Sequence, residues 1–414
     1  MEDQKNYQNS HTSPPIFRLV LTGGPCGGKT TSSSVISERF QALGWRVFTV
    51  PEAATVLLSG GINFYNLTPD QVYNFQTNLL KVMMCLEDAF VDLARKSGQK
   101  SLVICDRGAM DCSAYIDQET WQAIVDENGW TTVGLRDSRY DCVVHLVSAA
   151  DGAPKFYTTH DGSVRTETPE LARELDCKIQ NAWIGHPYLS IINNDTDFKK
   201  KIDRVIHTIA NFVGETVPIA GLTKRKFLVE NSPDNFPAGI KYQDYDVEHN
   251  YLVTSDKTQA RLRKRGQFGT YAYTWTVRFP ERHGQSLQLR RKITGREYIT
   301  VRGSQCDSRR NTVCKKRRSF IYKNQYYELD TYTSCQPGLM LLEAYIPANA
   351  DVNLPPFLGV VREVTKEKEY SMYNLALKDH PKTIAEITAS QYRGADIPPN
   401  EPRMVDTAGY FDLK

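Results

Sequence analysis

Apolar residues fall into two rhythms along the chain. Up to about residue 215, compact apolar runs alternate with longer helix-like segments: Phe17-Arg-Leu-Val-Leu-Thr22, Trp45-Arg-Val-Phe-Thr-Val50, Leu102-Val-Ile-Cys105, Cys142-Val-Val-His-Leu-Val147 and Leu189-Ser-Ile-Ile192. That alternation predicts an α/β domain with a mainly parallel sheet. From Lys224 the period drops to two, with Tyr, Thr, Val and Arg in short strands broken by Gly, Asn, Asp and Ser turns. This predicts an antiparallel β-barrel with some helix. The expected organisation is a polar tail over 1–15, an α/β domain over 16–215, the barrel over 222–380 and an extension over 381–414.

Composition narrows the class. At 40% hydrophobic and 24% charged, the 414 residues can bury sizeable cores. No apolar run reaches the ~20 residues of a membrane span, and the Pro/Ser/Asn-rich start has no signal core. The expected setting is the cytoplasm, where nine cysteines without a C-x-x-C pair remain thiols. The net charge of +3 conceals a partition: residues 1–220 carry 20 Lys/Arg against 26 Asp/Glu, and residues 221–330 carry 23 against 11. In a strand, i and i+2 share a face, so Arg261, Arg263 and Arg265 line up. Lys224 with Lys226, Arg290 with Lys292, and Lys316 with Arg318 repeat the device, and Arg278 ends another strand. Such a face suits a compact polyanion inside a barrel, or an open patch for a membrane surface or nucleic acid. No nucleic-acid-binding motif accompanies it, which disfavours the last.

The sharpest local signal is Gly23-Gly24-Pro25-Cys26-Gly27-Gly28-Lys29-Thr30-Thr31, directly after a strand and opening a helix. It fits G-x-x-x-x-G-K-S/T, in which loop N–H groups cradle phosphates at a helix N-terminus. Lys29 would reach the β/γ-phosphates and the Thr30 hydroxyl would hold Mg²⁺. Asp106, at the carboxyl end of an apolar strand, is the second candidate metal anchor. Glu52 follows another strand, as an acid for an acceptor group or as a helix cap. Arg165 and Arg173 fall in a charged stretch suited to a lid over transferring phosphates, or to an ordinary surface. Asn194 and Asp195 end the last strand, where a purine base would be read.

Taken in order, the phosphate loop, Asp106-Arg107-Gly108, the Trp183-to-Asn194 stretch and the basic strands resemble the TRPL translocation defect protein 14 family over nearly the whole chain. The first half is similar to the ribosylnicotinamide kinase-type domain of NadR proteins. The second is similar to a CYTH, or triphosphate tunnel, domain through Arg261-Leu-Arg-Lys-Arg265, Trp275-Thr-Val-Arg278, Tyr327-Glu-Leu-Asp330 and Leu342-Glu343. Catalytic tunnel proteins carry Glu-x-Glu-x-Lys on the first strand. Here Lys226 matches the lysine, but Leu222 and Lys224 replace the two acids, so barrel triphosphatase activity is not expected. The resemblance implies GTP/GDP and Mg²⁺ as cofactors, phosphoinositide binding, reversible peripheral membrane association and a role in sensory ion-channel trafficking with a protein partner. Slow GTP hydrolysis is one implied activity. The alternative is a kinase for a nucleoside-like acceptor, with Lys29, Glu52, Asp106, Arg165 and Arg173 as its catalytic set.

Overall fold

The structure, a computed structural model, describes residues 14–157, 168–215, 222–254, 258–280, 288–347 and 352–378. The tail as far as residue 13 and the extension over 381–414 lie outside the described residues. Everything described belongs to one compact unit that runs to Lys378.

Five strands, β1 (Ile16–Gly23), β2 (Arg46–Val50), β3 (Ser101–Asp106), β4 (Cys142–Leu146) and β5 (Leu189–Ile192), form a wholly parallel sheet in the order β2-β3-β1-β4-β5. Six helices accompany them: α1 (Lys29–Ala42), α2 (Ala53–Ser59), α3 (Pro69–Lys96), α4 (Gln118–Glu127), α5 (Pro169–Ala182) and α6 (Phe198–Val213). Leu19 and Leu21 of β1 face Ile36 and Phe40 of α1 and Val205 and Ile209 of α6. Val20, pointing the other way, joins Leu80 and Met83 of α3, Ile179 of α5, and Trp183. Burial on both faces is why these strands read as continuous apolar runs rather than alternating ones. The arrangement also brings the carboxyl ends of β1, β3 and β4 together, beside the first turn of α1.

Nine further strands make an antiparallel sheet: β6 (Leu222–Val229), β7 (Tyr242–Leu252), β8 (Gln259–Gln267), β9 (Thr270–Arg278), β10 (Gln288–Ile293), β11 (Val313–Tyr322), β12 (Gln325–Tyr332), β13 (Met340–Pro347) and β14 (Val360–Glu363). Their order is β10-β9-β8-β7-β11-β12-β13-β6-β14. The expected barrel is not closed: among the described residues β10 pairs only with β9, and β14 only with β6, across a bulge between Val360 and Arg362. A physical reason lies in what the β10 side chains touch. Arg290 donates to the Phe212 carbonyl, and Lys292 to the Ser138 and Tyr140 carbonyls, so this edge is engaged with the α/β domain.

The two faces of the antiparallel sheet differ sharply. One is apolar, with Phe227, Phe320, Leu329, Leu342 and Ala344 packed together, and Leu262 covered by Tyr298 of α7 (Gly295–Gln305). The other carries a charged cluster and meets the α/β domain. There the Arg265 guanidinium donates to Asp137 at 2.8 Å and to the Gly185 carbonyl, and Tyr326 accepts from the Gly185 N–H at 3.2 Å. Gly185 is required at this junction. Its φ is +97°, and an added Cβ would come within 1.6 Å of Tyr245 Oη.

Candidate functional site

The phosphate loop joins β1 to α1. Gly23 lies so close to the end of β4 that a Cβ would come to 2.1 Å from the Leu146 carbonyl oxygen, and its φ of +142° suits only glycine. Lys29, the first residue of α1, folds back so that Nζ donates to the carbonyls of Gly23 and Gly24 at 2.9 and 3.1 Å. Burial, with help from the neighbouring Arg107 guanidinium, pushes the Lys29 ammonium down to about 7, against the opposing pull of Asp106, Glu52 and Asp111. Loop carbonyls are weak partners for a cation, which leaves Lys29 ready to turn toward a stronger anion.

Asp106 ends β3, and one of its carboxylate oxygens is buried with no hydrogen-bond partner. Burial pushes its pKa up, although Lys29 opposes the shift. A buried acceptor left unmatched costs free energy unless something binds it. With the Thr30 hydroxyl on the first turn of α1, it offers oxygen donors of the kind a hard cation takes, so the residues present fit Mg²⁺. Glu52 precedes α2 and accepts from Thr55 Oγ1 at 2.8 Å, while its other oxygen lies 3.4 Å from Arg107 Nε. Arg107 has a positive φ of 73° and donates to the Gly23 carbonyl at 2.9 Å. Lys29, Asp106, Glu52 and Arg107 therefore form one cluster at the loop.

Other expected positions are placed differently. Arg165 lies outside the described residues. The Arg173 guanidinium is taken up by the Ala150 carbonyl and Glu170 rather than by the phosphate loop. The Asn194 amide turns inward: it donates to the carbonyls of Val147, Ser148 and Asp151, and its oxygen accepts from buried Lys201. Lys201 also reaches the Gly27 carbonyl at 3.1 Å, so this pair braces the loop from behind. Asp195 is exposed and accepts from Asn193.

Sequence reasoning missed two buried acids. Asp111 accepts from Thr22 Oγ1, the Gly108 N–H and Trp183 Nε1. Asp176 of α5 accepts from the Gly24 N–H at 2.6 Å and bonds His145 Nε2 at 2.9 Å. A lone acid inside a helix gives no signal of such a role, because its partners come from distant parts of the chain.

On the antiparallel sheet the strand parity assigned to β11 is corrected. Lys315 and Arg317, not Lys316 and Arg318, belong to the charged face. Lys315 Nζ lies 2.5 Å from Asp330, and Arg317 contacts Asp330, Glu328 and Glu343. Lys316 is exposed on the opposite face, where Arg318 forms a two-toothed pair with Asp244 and stacks over Tyr242. A run of four basic residues carries no phase, and a slip of one exchanges the faces. Lys224 and Lys226 both approach Glu343, at 2.7 and 3.7 Å, and Lys226 donates to the Tyr370 carbonyl. Arg265 and Lys292 serve the junction between the sheets, the latter also pairing with Asp141 at 2.9 Å. Arg278 is exposed at the end of β9. Arg261 lies opposite Thr276 of β9. Arg263 and Arg290 flank the Tyr188 ring at 5.4 and 5.1 Å, beside a cavity of about 330 Å³. Among the described residues neither of them, nor Arg261, has a carboxylate in ion-pair range, whereas Arg265 and Lys292 do.

A phosphate loop with a lysine, a following threonine and a strand-end aspartate is the geometry of nucleotide-binding domains. Residues 18–201 match the family described as an AAA domain. That span contains the phosphate loop, Glu52, Asp106 and Asp176, and it makes the α/β half a P-loop nucleotide-binding domain. No curated protein matches the chain. Among solved structures, the chain is similar to the PH1012 protein from Pyrococcus horikoshii OT3 at 20% identity, covering 31% of this chain and 80% of that one, with a TM-score of 0.23. A conserved hypothetical protein from Pyrococcus furiosus gives 12% identity, coverages of 31% and 81%, and a TM-score of 0.23. The PH1819 protein from Pyrococcus horikoshii OT3 gives 11%, 32% and 80%, and 0.24. Among the described residues no helix is long and apolar enough to cross a membrane, and no group of three or more His, Cys, Asp or Glu could hold a metal.

Proposed function

We propose that this protein is a GTP-binding regulator that hydrolyses its nucleotide slowly, and whose charged sheet face takes a phosphoinositide head group at a membrane surface. The observation that carries the nucleotide half is Lys29 folded onto its own loop beside the unmatched oxygen of Asp106. On binding, Lys29 exchanges two carbonyls for β/γ-phosphate oxygens, and the N–H groups at the start of α1 take the remaining charge. Thr30 and Asp106 would hold Mg²⁺, which supplies charge neutralisation on the phosphates. The under-compensated Arg263 and Arg290 support an anionic ligand on the sheet. Guanine, the inositol lipid and a part in channel trafficking are supported by the family resemblance.

The test is calorimetry with Mg·GTP and Mg·ATP on the intact chain and on Lys29→Ala. Tighter binding of GTP, lost in the variant, supports the reading; preference for ATP or binding that ignores Lys29 overturns it. Flotation with vesicles containing phosphorylated inositol lipids, compared with Arg263→Ala/Arg290→Ala, tests the sheet in the same way.

One observation favours a second reading. Glu52 lies at the loop in contact with Arg107, and on this reading it accepts a proton from a bound hydroxyl, as in a small-molecule kinase. That reading predicts a phosphorylated nucleoside-like acceptor, and loss of product in Glu52→Gln.

A further inference from the structure

Between β11 and β12 the chain turns through Lys323 and Asn324, both with positive φ, 48° and 55°. Two such residues in a row make the tight hairpin whose twist matches its strands, although lysine rarely adopts that conformation. The tip points at the nucleotide-binding domain. Asn324 Oδ1 accepts from Gln180 Nε2 at 3.3 Å, and Asn324 Nδ2 donates to Asp151 Oδ2 at 2.8 Å.

Each contact leads to the phosphate loop through two further bonds. Gln180 Nε2 also lies 3.2 Å from Asp176 Oδ2, and the other Asp176 oxygen holds the Gly24 N–H at 2.6 Å. On the second side, Asp151 closes the short turn after β4 by donating its N–H to the Ser148 carbonyl. Ser148 Oγ in turn donates to the Pro25 carbonyl at 2.6 Å. Asp176 is 2% exposed and fully bonded, accepting also from the Ser148 N–H and bonding His145 Nε2. Those bonds hold its carboxylate below the usual range even though burial opposes this. A group bonded on every side transmits displacement, because its partners have no slack.

We infer that the β11–β12 hairpin is a positioning element of the nucleotide site: Asn324, through Gln180 and Asp176 on one side and Asp151 on the other, sets the phosphate loop at Gly24 and Pro25. Nucleotide occupancy and the state of the antiparallel sheet are therefore linked, in both directions and by the same factor. The strands that carry this tip also carry Lys315, Arg317, Glu328 and Asp330, so a ligand that rearranges the charged cluster acts on the hairpin directly. Asn324, Gln180 and Asp176 are positioning residues, and none is required to touch the nucleotide. This inference rests on the P-loop domain binding a nucleotide.

The experiment uses the full chain with Asn324→Ala and, separately, Gln180→Leu, which leaves the turn unaltered. Calorimetry with the Mg-nucleotide that the unmodified protein binds is expected to show about fivefold weaker binding in each variant, the loss of one modest hydrogen bond. Hydrogen exchange is expected to show amides over 322–326 slowing on nucleotide addition in the unmodified protein, with no such slowing in Gln180→Leu. A purely structural role would not produce that nucleotide-dependent protection. Unchanged affinity in both variants, or a hairpin indifferent to nucleotide, overturns the inference. If the unmodified chain binds no nucleotide, the function proposed above fails and exchange over 23–28 without nucleotide decides the positioning. Faster exchange in both variants then supports the hairpin's hold on the loop, and unchanged exchange overturns it.

Discussion

Lys224 Nζ lies 2.7 Å from Glu343 Oε2, diagonally across the ladder between β6 and β13 in which Lys226 is directly opposite Glu343. An ammonium thus answers this buried carboxylate directly. Burial pushes Glu343 up, but Lys224, Lys226, Lys315 and Arg317 outweigh it and hold its pKa well below the usual glutamate value. A depressed folded-state pKa stabilises the fold above the unfolded value, and that stability is lost as pH falls through the folded one. Glu343→Gln is therefore expected to cost about 3–5 kcal/mol at pH 7 in urea unfolding. The gap to the unmodified protein should narrow as pH drops below about 4. A gap independent of pH would show that the carboxylate's charge is not what stabilises this face.

Proton uptake tests Lys29. Its ammonium titrates at about 7 in the free loop, chiefly because it is buried. Phosphate oxygens favour the charged form, so binding raises its pKa. Calorimetry in buffers of different ionisation enthalpy should find most of a proton taken up per nucleotide at pH 8 and almost none at pH 6. Lys29→Met should abolish the uptake and weaken binding by about tenfold to a hundredfold. Equal uptake at the two pH values would contradict this account.

The two faces of the sheet make opposite forecasts for the basic residues. Lys316→Ala with Arg318→Ala should leave the affinity for a soluble inositol polyphosphate unchanged, and the Arg318–Asp244 pair should be worth at most about 1 kcal/mol. Arg263→Ala with Arg290→Ala should lower that affinity at least about tenfold. The reverse ranking, read by calorimetry, would assign the ligand to the other face.

Gly185→Ala tests the junction between the sheets. The new methyl group meets Tyr245 Oη, and the residue must keep a φ of +97°. The two penalties together are expected to cost about 2–5 kcal/mol, visible as a lower thermal midpoint. A midpoint within a degree of the unmodified protein would mean that Tyr245 moves aside freely.

The parts of this molecule legible in its sequence are those whose physics is local. The phosphate loop is contiguous, and its motif can be read from neighbouring residues alone. The parallel strands announce themselves because burial on both sides makes them continuously apolar. Asp106 is recognisable as a strand end because the apolar run stops there. The phase of Lys315-Lys-Arg-Arg318 was not legible, since four like residues fit either register and the deciding neighbours, Asp330 and Glu343, lie on other strands. Asn194 follows the last parallel strand as expected, but the sequence gives no sign that its amide turns inward to three carbonyls. Asp176, Gln180 and Asn324 could not be read at all. Their meaning exists only where a hairpin from one sheet touches a helix beside the other.

The open edge of the antiparallel sheet has a consequence for how the protein behaves among its own copies. An outermost strand exposes unused backbone donors and acceptors, which a strand from another molecule can pair with. Here β14 is four residues long and bulged, Arg225 and Glu363 form an ion pair across it, and Arg362 is tied to Glu367. An arriving strand finds no straight run long enough to register with, and it must displace charged side chains to approach. Among the described residues the sheet thus ends at β14 on an edge that resists pairing, which protects these β-strands from stacking edge to edge with those of other copies when the protein is concentrated.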